Sequence, residues 1–138
     1  MTQKDKELLL KDLCSRLPYG VKFECNKNVY TAKGLDLIVT DEGNWEYAVT
    51  AKGIAPIEID FIKPYLYPLS SMTDEQKREY NFWKHEVPVC HYEYGDVVEE
   101  IELYDSPESF EYLIENYFDY RGLIPMGLAE DATDKNLY

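Results

Sequence analysis

The sequence predicts an α+β fold in which about three helices pack on one face of a small, mostly antiparallel sheet. Segments with helical periodicity begin at three places along the chain, and alternating strand-like segments lie between the first two. The strand-like segments follow one another through short turns, as in antiparallel sheets, and do not alternate with helices as in parallel ones. The 138 residues, 45% of them hydrophobic, are enough to bury a core.

Each predicted helix begins at a recognisable cap. Thr2 with Asp5, and Thr73 with Gln76, have the spacing of a capping box, in which two side chains bind each other's backbone amides. Ser106–Pro107 combines a serine cap with a proline at the first helical position. The first helix should end near Leu17 and the second before Pro88.

The third helix is predicted over residues 107–118. Arg121 would then lie near its carboxyl end, where a cation is favoured by the helix dipole, and Gly122 would be the C-cap. Its apolar stripe recurs at helical spacing at Phe110, Leu113, Ile114, Tyr117 and Phe118.

The strand predictions depend on alternation of apolar and polar residues. The predicted strands are 21–25, 29–33, 35–40, 45–50, 57–61 and 97–104, with a hairpin loop at 41–44 and Gly34 at a bulge or turn. Pro64 and Pro68 bracket Tyr65–Leu66–Tyr67, which should therefore be an extended edge or a loop. Together the elements predict one domain over residues 1–130, followed by a polar C-terminal tail over 131–138.

The charge balance restricts the possible partners. The chain has 14 Lys and Arg against 27 Asp and Glu, a formal net charge of −13. Direct binding to nucleic acid or to an anionic membrane is therefore not expected, because both interactions depend on basic side chains. A basic protein would be attracted from a distance.

The cysteines and the N-terminus favour the cytoplasm. Cys14, Cys25 and Cys90 are odd in number and form no C-x-x-C pair, which is typical of a reducing compartment. The first residues are polar and contain no apolar leader segment.

No catalytic or cofactor-binding motif is present among the standard nucleotide, metalloprotease, hydrolase and thiol patterns. We therefore expect no catalysis and no cofactor. One alternative is a metal site at His85, Cys90 and His91, completed by a nearby glutamate, because histidine and thiolate are the usual zinc ligands. The same cluster would have to supply any cysteine–histidine nucleophile.

The most unusual feature is an acidic run that is also rich in tyrosine. Residues 85–120 contain no Lys or Arg. Three glutamates recur at helical spacing in the third helix, two glutamates share one face of strand 97–104, and two tyrosines precede that strand. Together they are predicted to form a partner-binding surface: Tyr92, Tyr94, Glu100, Glu102, Glu108, Glu111 and Glu115.

Three stretches of the sequence suggest a family context. LCSRLPYGV (13–21), IKPYLYPLSSMT (62–73) and FDYRGLIPMGLA (118–129) resemble a group of short uncharacterised proteins of anaerobic gut bacteria and of their phages and mobile elements. The resemblance implies an accessory role and brings no activity, cofactor or site residue.

The leading hypothesis is an accessory protein that binds another, basic protein and catalyses nothing, in its sharpest form by imitating nucleic acid. A small ligand-binding, metal-binding or carboxylate-based catalytic domain is one alternative. A structural subunit of a larger particle is another.

Overall fold

The computed structural model describes all residues, 1–138, and has an α+β fold with three helices. The helices are α1 (Gln3–Arg16), α2 (Asp74–Phe82) and α3 (Pro107–Glu115). The strands are β1 (Lys22–Cys25), β2 (Asn28–Val39), β3 (Trp45–Ala51), β4 (Ile57–Glu58), β5 (Lys63–Leu66), β6 (His85–Glu93), β7 (Asp96–Tyr104) and β8 (Glu130–Asp131). The predicted fold class is thus confirmed.

The chain forms two compact units, and the predicted domain over residues 1–130 includes all of the second and most of the first. The first unit comprises residues 1–71 and 117–138, and the second comprises residues 72–116. The first contains α1 and a six-stranded sheet in the order β4-β3-β2-β1-β5-β8. All neighbours in that sheet are antiparallel except β5 and β8. The second contains α2, α3 and the β6–β7 hairpin.

All three predicted helix starts are confirmed. In α1 and α2 the Thr2–Asp5 and Thr73–Gln76 capping boxes are both formed. Ser106 caps α3, with Pro107 as its first residue. Such caps satisfy amides that the helix itself leaves without partners, so they fix where a helix begins from local sequence alone.

The predicted end of the third helix is wrong. The helix stops at Glu115, and Tyr117 has a φ of 62°, so the chain leaves the helix before the predicted apolar stripe is complete. Gly122 is therefore not its C-cap. The last turn of α3 contains no basic residue, and Nε of Arg121 instead lies 3.3 Å from Oδ1 of Asp12 in α1.

Two strand predictions are also corrected. Segment 57–61 is a strand only over Ile57–Glu58 and continues as a 3₁₀ helix. Segment 65–67, predicted as an extended edge or a loop, is not an edge, because Tyr65 and Leu66 belong to β5, which lies between β1 and β8. Pro64 is tolerated there because the neighbouring β8 is only two residues long and pairs with Tyr65 and Leu66 instead.

The core of the first unit contains a buried ion pair among its apolar side chains. Asp12 and Arg16 of α1 are completely buried, with Arg16 Nε 2.9 Å from Asp12 Oδ2. The Arg16 guanidinium also donates to the carbonyl of Phe118 at 2.6 Å. Around this pair lie the fully buried side chains of the core, which include Leu9, Leu13, Val21, Phe23, Leu66 and Leu123.

The predicted polar tail, residues 131–138, is held at both of its ends. Ala132 is buried, and its N–H donates to the carbonyl of Leu66 at 2.8 Å. The Tyr138 ring stacks on Tyr117 with centroids 3.6 Å apart, and its hydroxyl donates to the carbonyl of Tyr65.

None of the three helices has the length and the apolar composition that a membrane-spanning helix needs.

Candidate functional site in the acidic second unit

Most of the net negative charge lies in the second unit. Residues 72–116 hold 13 of the 27 Asp and Glu but only three of the 14 Lys and Arg. The second unit therefore carries a formal charge of −10, and the first unit, with twice as many residues, carries −3. A basic molecule would be drawn to this unit first.

Two hydrogen bonds fix α2 against α3 within this unit. The Ser106 hydroxyl, at the N-cap of α3, donates to the carbonyl of Trp83, which is the C-cap of α2. The Tyr112 hydroxyl of α3 donates to Glu79 of α2 at 2.8 Å. Because both bonds join buried or half-buried side chains to the other helix, they determine which residues of α2 face α3.

Aromatic contacts reinforce the same pairing. The rings of Tyr80 and Tyr112 are parallel, with centroids 6.3 Å apart. Burial, followed by the hydrogen bond to Glu79, raises the pKa of Tyr112 to about 12. Burial and a hydrogen bond to Asp105 also raise the pKa of Tyr80. Both hydroxyls therefore stay protonated at neutral pH and act as hydrogen-bond donors to carboxylates.

The predicted glutamate stripe of α3 forms the rim of an open groove, which we call the α3 groove. It has a volume of about 410 Å³ and is lined by Trp83, Pro107, Glu108, Glu111 and Glu115. The three glutamates are exposed, as expected from their spacing of three and four residues. Trp83 and Pro107 supply its apolar surface.

A second depression adjoins the α3 groove and shares Trp83 and Glu115 with it. It has a volume of about 480 Å³ and is lined also by Arg78, Glu79, Phe82 and Tyr112. The side chain of Phe82 is 77% exposed and that of Trp83 46% exposed, with their rings edge to face at 5.2 Å. Large aromatic rings left this exposed are typical of binding surfaces.

The hairpin residues of the predicted surface do not all lie on one face. Residues directly paired across two strands share a face. Glu100 pairs with Val89 and Glu102 with Val87, whereas Tyr92 pairs with Val97 on the opposite face. Tyr94 lies in the two-residue turn, with a φ of 51° and its side chain 99% exposed. The structure thus separates Tyr92 and Tyr94 from Glu100 and Glu102.

The alternative metal residues do not converge. His85 and His91 lie on the face of Glu100 and Glu102, and Cys90 lies on the other face, beside Glu99. His91 is 3.7 Å from Glu93, and no group of three or more His, Cys, Asp or Glu side chains is placed to hold a metal ion. Nothing in this geometry favours a metal or a cysteine–histidine pair.

Trp83 and Phe82 are the surface residues that sequence reasoning missed. Helical spacing places Trp83 on the same side as Tyr80, three residues before it, and this spacing alone does not indicate that Trp83 is exposed. The available signal was their adjacency, because two neighbouring aromatic residues of one short helix cannot both face the same core.

Comparison of the chain with protein-family models, with curated proteins and with solved structures finds no match in any of the three.

Proposed function

We propose that this protein acts by binding a basic partner protein in the α3 groove, without catalysing a reaction itself. The observation that carries the proposal is the convergence of Glu108, Glu111 and Glu115 with the half-exposed ring of Trp83 on one open groove.

The groove is chemically suited to lysine and arginine side chains. These side chains have an apolar stem and a charged head, which can contact an aromatic surface and a carboxylate at once. A cation over an exposed tryptophan face contributes about 0.5–1 kcal/mol, and more once water is displaced. Several such contacts along α3 would give moderate, salt-sensitive affinity.

A basic polypeptide segment is better supported as the ligand than a nucleic-acid-binding cleft. Carboxylates three and four residues apart on a helix are separated by about 4.5 and 6 Å along its axis. A DNA strand carries one charge per roughly 3.4 Å, so the stripe is less densely charged than one strand. The aromatic surface of Trp83 also has no counterpart on a phosphate backbone.

The context of this activity is part of the proposal. The resemblance of three sequence motifs to short proteins of gut bacteria and their phages supports an accessory role in such an element. The three cysteines are all free, which supports a reducing compartment such as the cytoplasm.

The proposal is tested with Trp83 as a fluorescent reporter. Replacing the exposed Trp45, which lies in the first unit, by phenylalanine leaves Trp83 as the single tryptophan. We expect a peptide of arginine and leucine to change the Trp83 emission, and its glutamate counterpart to have no effect. Added salt should weaken the binding.

A matched pair of variants separates the groove from net charge. Reversal of Glu108, Glu111 and Glu115 to lysine should weaken peptide binding by at least about tenfold, or about 1.4 kcal/mol. Reversal of the exposed Glu7, Asp41 and Glu42 to lysine changes the net charge equally in the first unit. Equal losses in both variants, or an unchanged Trp83 emission, would contradict the proposal.

A further inference from the structure

The outer edge of β7 is an open sheet edge. The β6–β7 hairpin is a separate two-stranded sheet, and no further strand pairs with β7. Nearly every residue of both strands is exposed, including Val97 at 62% and Ile101 at 68%. A two-stranded sheet alone is marginally stable in water. A third strand added to the β6–β7 hairpin would therefore stabilise the hairpin considerably.

Pro88 identifies the backbone groups that point outward. Proline has no N–H to give to a ladder, and Pro88 pairs directly with Ile101. That pair must therefore be one of the non-hydrogen-bonded pairs, which alternate with hydrogen-bonded ones in an antiparallel sheet. The N–H and C=O groups that point away from β6 are then those of Val97, Glu99, Ile101 and Leu103.

The two edges of the hairpin are protected differently. The outer edge of β6 lacks a donor at Pro88, which is a common protection of edge strands against pairing. The β7 edge has no proline and no lysine, and its only protection is the charge of Glu99, Glu100 and Glu102. Carboxylates repel a second copy of this acidic hairpin but attract a basic strand.

We propose that β7 is a docking edge, along which an extended segment of a basic partner protein adds as a third strand. Its lysine or arginine side chains would lie beside Glu100 and Glu102 on one face of the sheet. Its apolar side chains would lie beside Val97, Ile101 and Leu103 on the other face, where Glu99 interrupts the apolar row. Backbone hydrogen bonds supply affinity in such strand addition, and the alternating side chains supply specificity. The inference rests on the proposed function only in taking the partner to be basic.

Amide hydrogen exchange of the isotope-labelled protein tests the proposal residue by residue. The probe is a peptide in which lysine and valine alternate along the length of β7, and the control is a peptide of the same composition with all lysines first. With the alternating peptide, the amides of Val97, Glu99, Ile101 and Leu103 should exchange at least about tenfold more slowly. The intervening amides, which already bind β6, should change little.

Two variants separate backbone pairing from side-chain contact. Ile101→Ala and Ile101→Pro both remove the isoleucine side chain. Only the proline also removes the outward N–H, which the β6–β7 ladder does not use. We expect the proline variant to bind the alternating peptide clearly more weakly than the alanine variant. The β6-bound amides of the proline variant report whether its hairpin is still formed.

The outcomes distinguish this inference from the α3 groove. Slowed exchange along β7 that persists after reversal of Glu108, Glu111 and Glu115 supports strand addition and counts against the groove. Peptide binding that is lost on that reversal and slows no β7 amide overturns strand addition and leaves the groove intact. Equal protection by both peptides also overturns it, because alternation would then be irrelevant.

Discussion

The hydroxyl of Ser106 donates a hydrogen bond to the carbonyl of Trp83 while it accepts one from the N–H of Ser109. One side chain therefore caps α3 and at the same time holds the C-cap residue of α2 beside it. Trp83 is consequently positioned at the start of the glutamate stripe, where its ring lines the α3 groove.

Ser106→Ala should loosen this arrangement. The change removes the N-cap and leaves the Trp83 carbonyl without its donor, which together should lower the free energy of unfolding by about 1–2 kcal/mol. Binding of a basic peptide should weaken as well. Ser106→Thr, which keeps the hydroxyl, is the control. Urea unfolding that does not distinguish alanine from serine would show that the bond has no such role.

The buried ion pair of α1 should be among the most sensitive sites of the first unit. Asp12→Ala leaves the guanidinium of Arg16 buried without its carboxylate, although the Phe118 carbonyl still accepts from it. Losing one partner of a buried pair costs about 3–5 kcal/mol. Urea denaturation should register this loss, whereas Glu42→Ala at an exposed position should stay within about 0.5 kcal/mol of the wild type.

The ion pair of Lys6 with Glu46 and Asp60 makes part of the stability dependent on pH. Lys6 Nζ lies 2.8 Å from Glu46 and 3.2 Å from Asp60. The hydrogen bond from Lys6 lowers the pKa of Glu46 below its ordinary value of 4.5, and the same bond raises the pKa of Lys6. The Glu46 contribution is therefore present above that ordinary value and disappears as the pH falls through the lowered pKa. The Lys6 contribution is lost only in strong alkali.

Lys6→Met should accordingly lower the free energy of unfolding by about 0.5–1 kcal/mol at neutral pH, the usual size for a partly exposed pair. The difference from the wild type should vanish in acid, once Glu46 is protonated. Lys4→Met, at an exposed position of the same helix, is the control. If Lys6→Met and the wild type differ in free energy of unfolding by the same amount at neutral and acidic pH, the ion pair is not the source of the difference.

Tyr138 should anchor the end of the chain. Its ring stacks on Tyr117, and its hydroxyl accepts from the N–H of Lys22 at 2.7 Å and donates to the Tyr65 carbonyl at 2.9 Å. Tyr138→Phe keeps the ring and should cost about 1 kcal/mol, whereas Tyr138→Ala should cost about 2 kcal/mol. Thermal or urea unfolding of the two variants measures both losses, and identical stabilities would contradict a stacking role.

Local sequence was sufficient to predict where the helices start but not where the third one ends. The cap of α3 involves only Ser106, Pro107 and Ser109, which are neighbours in the chain. The residues that follow it are bound by distant parts of the chain, since Arg16 donates to the Phe118 carbonyl from 102 positions away and Tyr67 bonds to the backbone of Tyr117 and Asp119. Arginine is rarely buried, so no pattern in the sequence indicates that this side chain lies in the core.

In the candidate site, too, the features set by neighbouring residues were predictable and the features set by tertiary contacts were not. The stripe of Glu108, Glu111 and Glu115 was predictable because helical spacing alone places the three on one face. The contribution of Trp83 was not, since it depends on how α2 meets α3. In the hairpin, Tyr92 and Glu100 were assigned to one surface, but the register of β6 against β7 sends them to opposite faces.

Binding of a basic partner to the α3 groove can be measured by affinity capture with matched variants. Tagged wild-type protein, the triple reversal of Glu108, Glu111 and Glu115, and the triple reversal of Glu7, Asp41 and Glu42 are each incubated with bacterial lysate at low and high salt. Captured proteins are identified by mass spectrometry. We expect a basic protein to be held by the wild type and by the first-unit variant at low salt and to be released at high salt. The groove variant should not capture this protein. The same set of captured proteins from all three baits would contradict it.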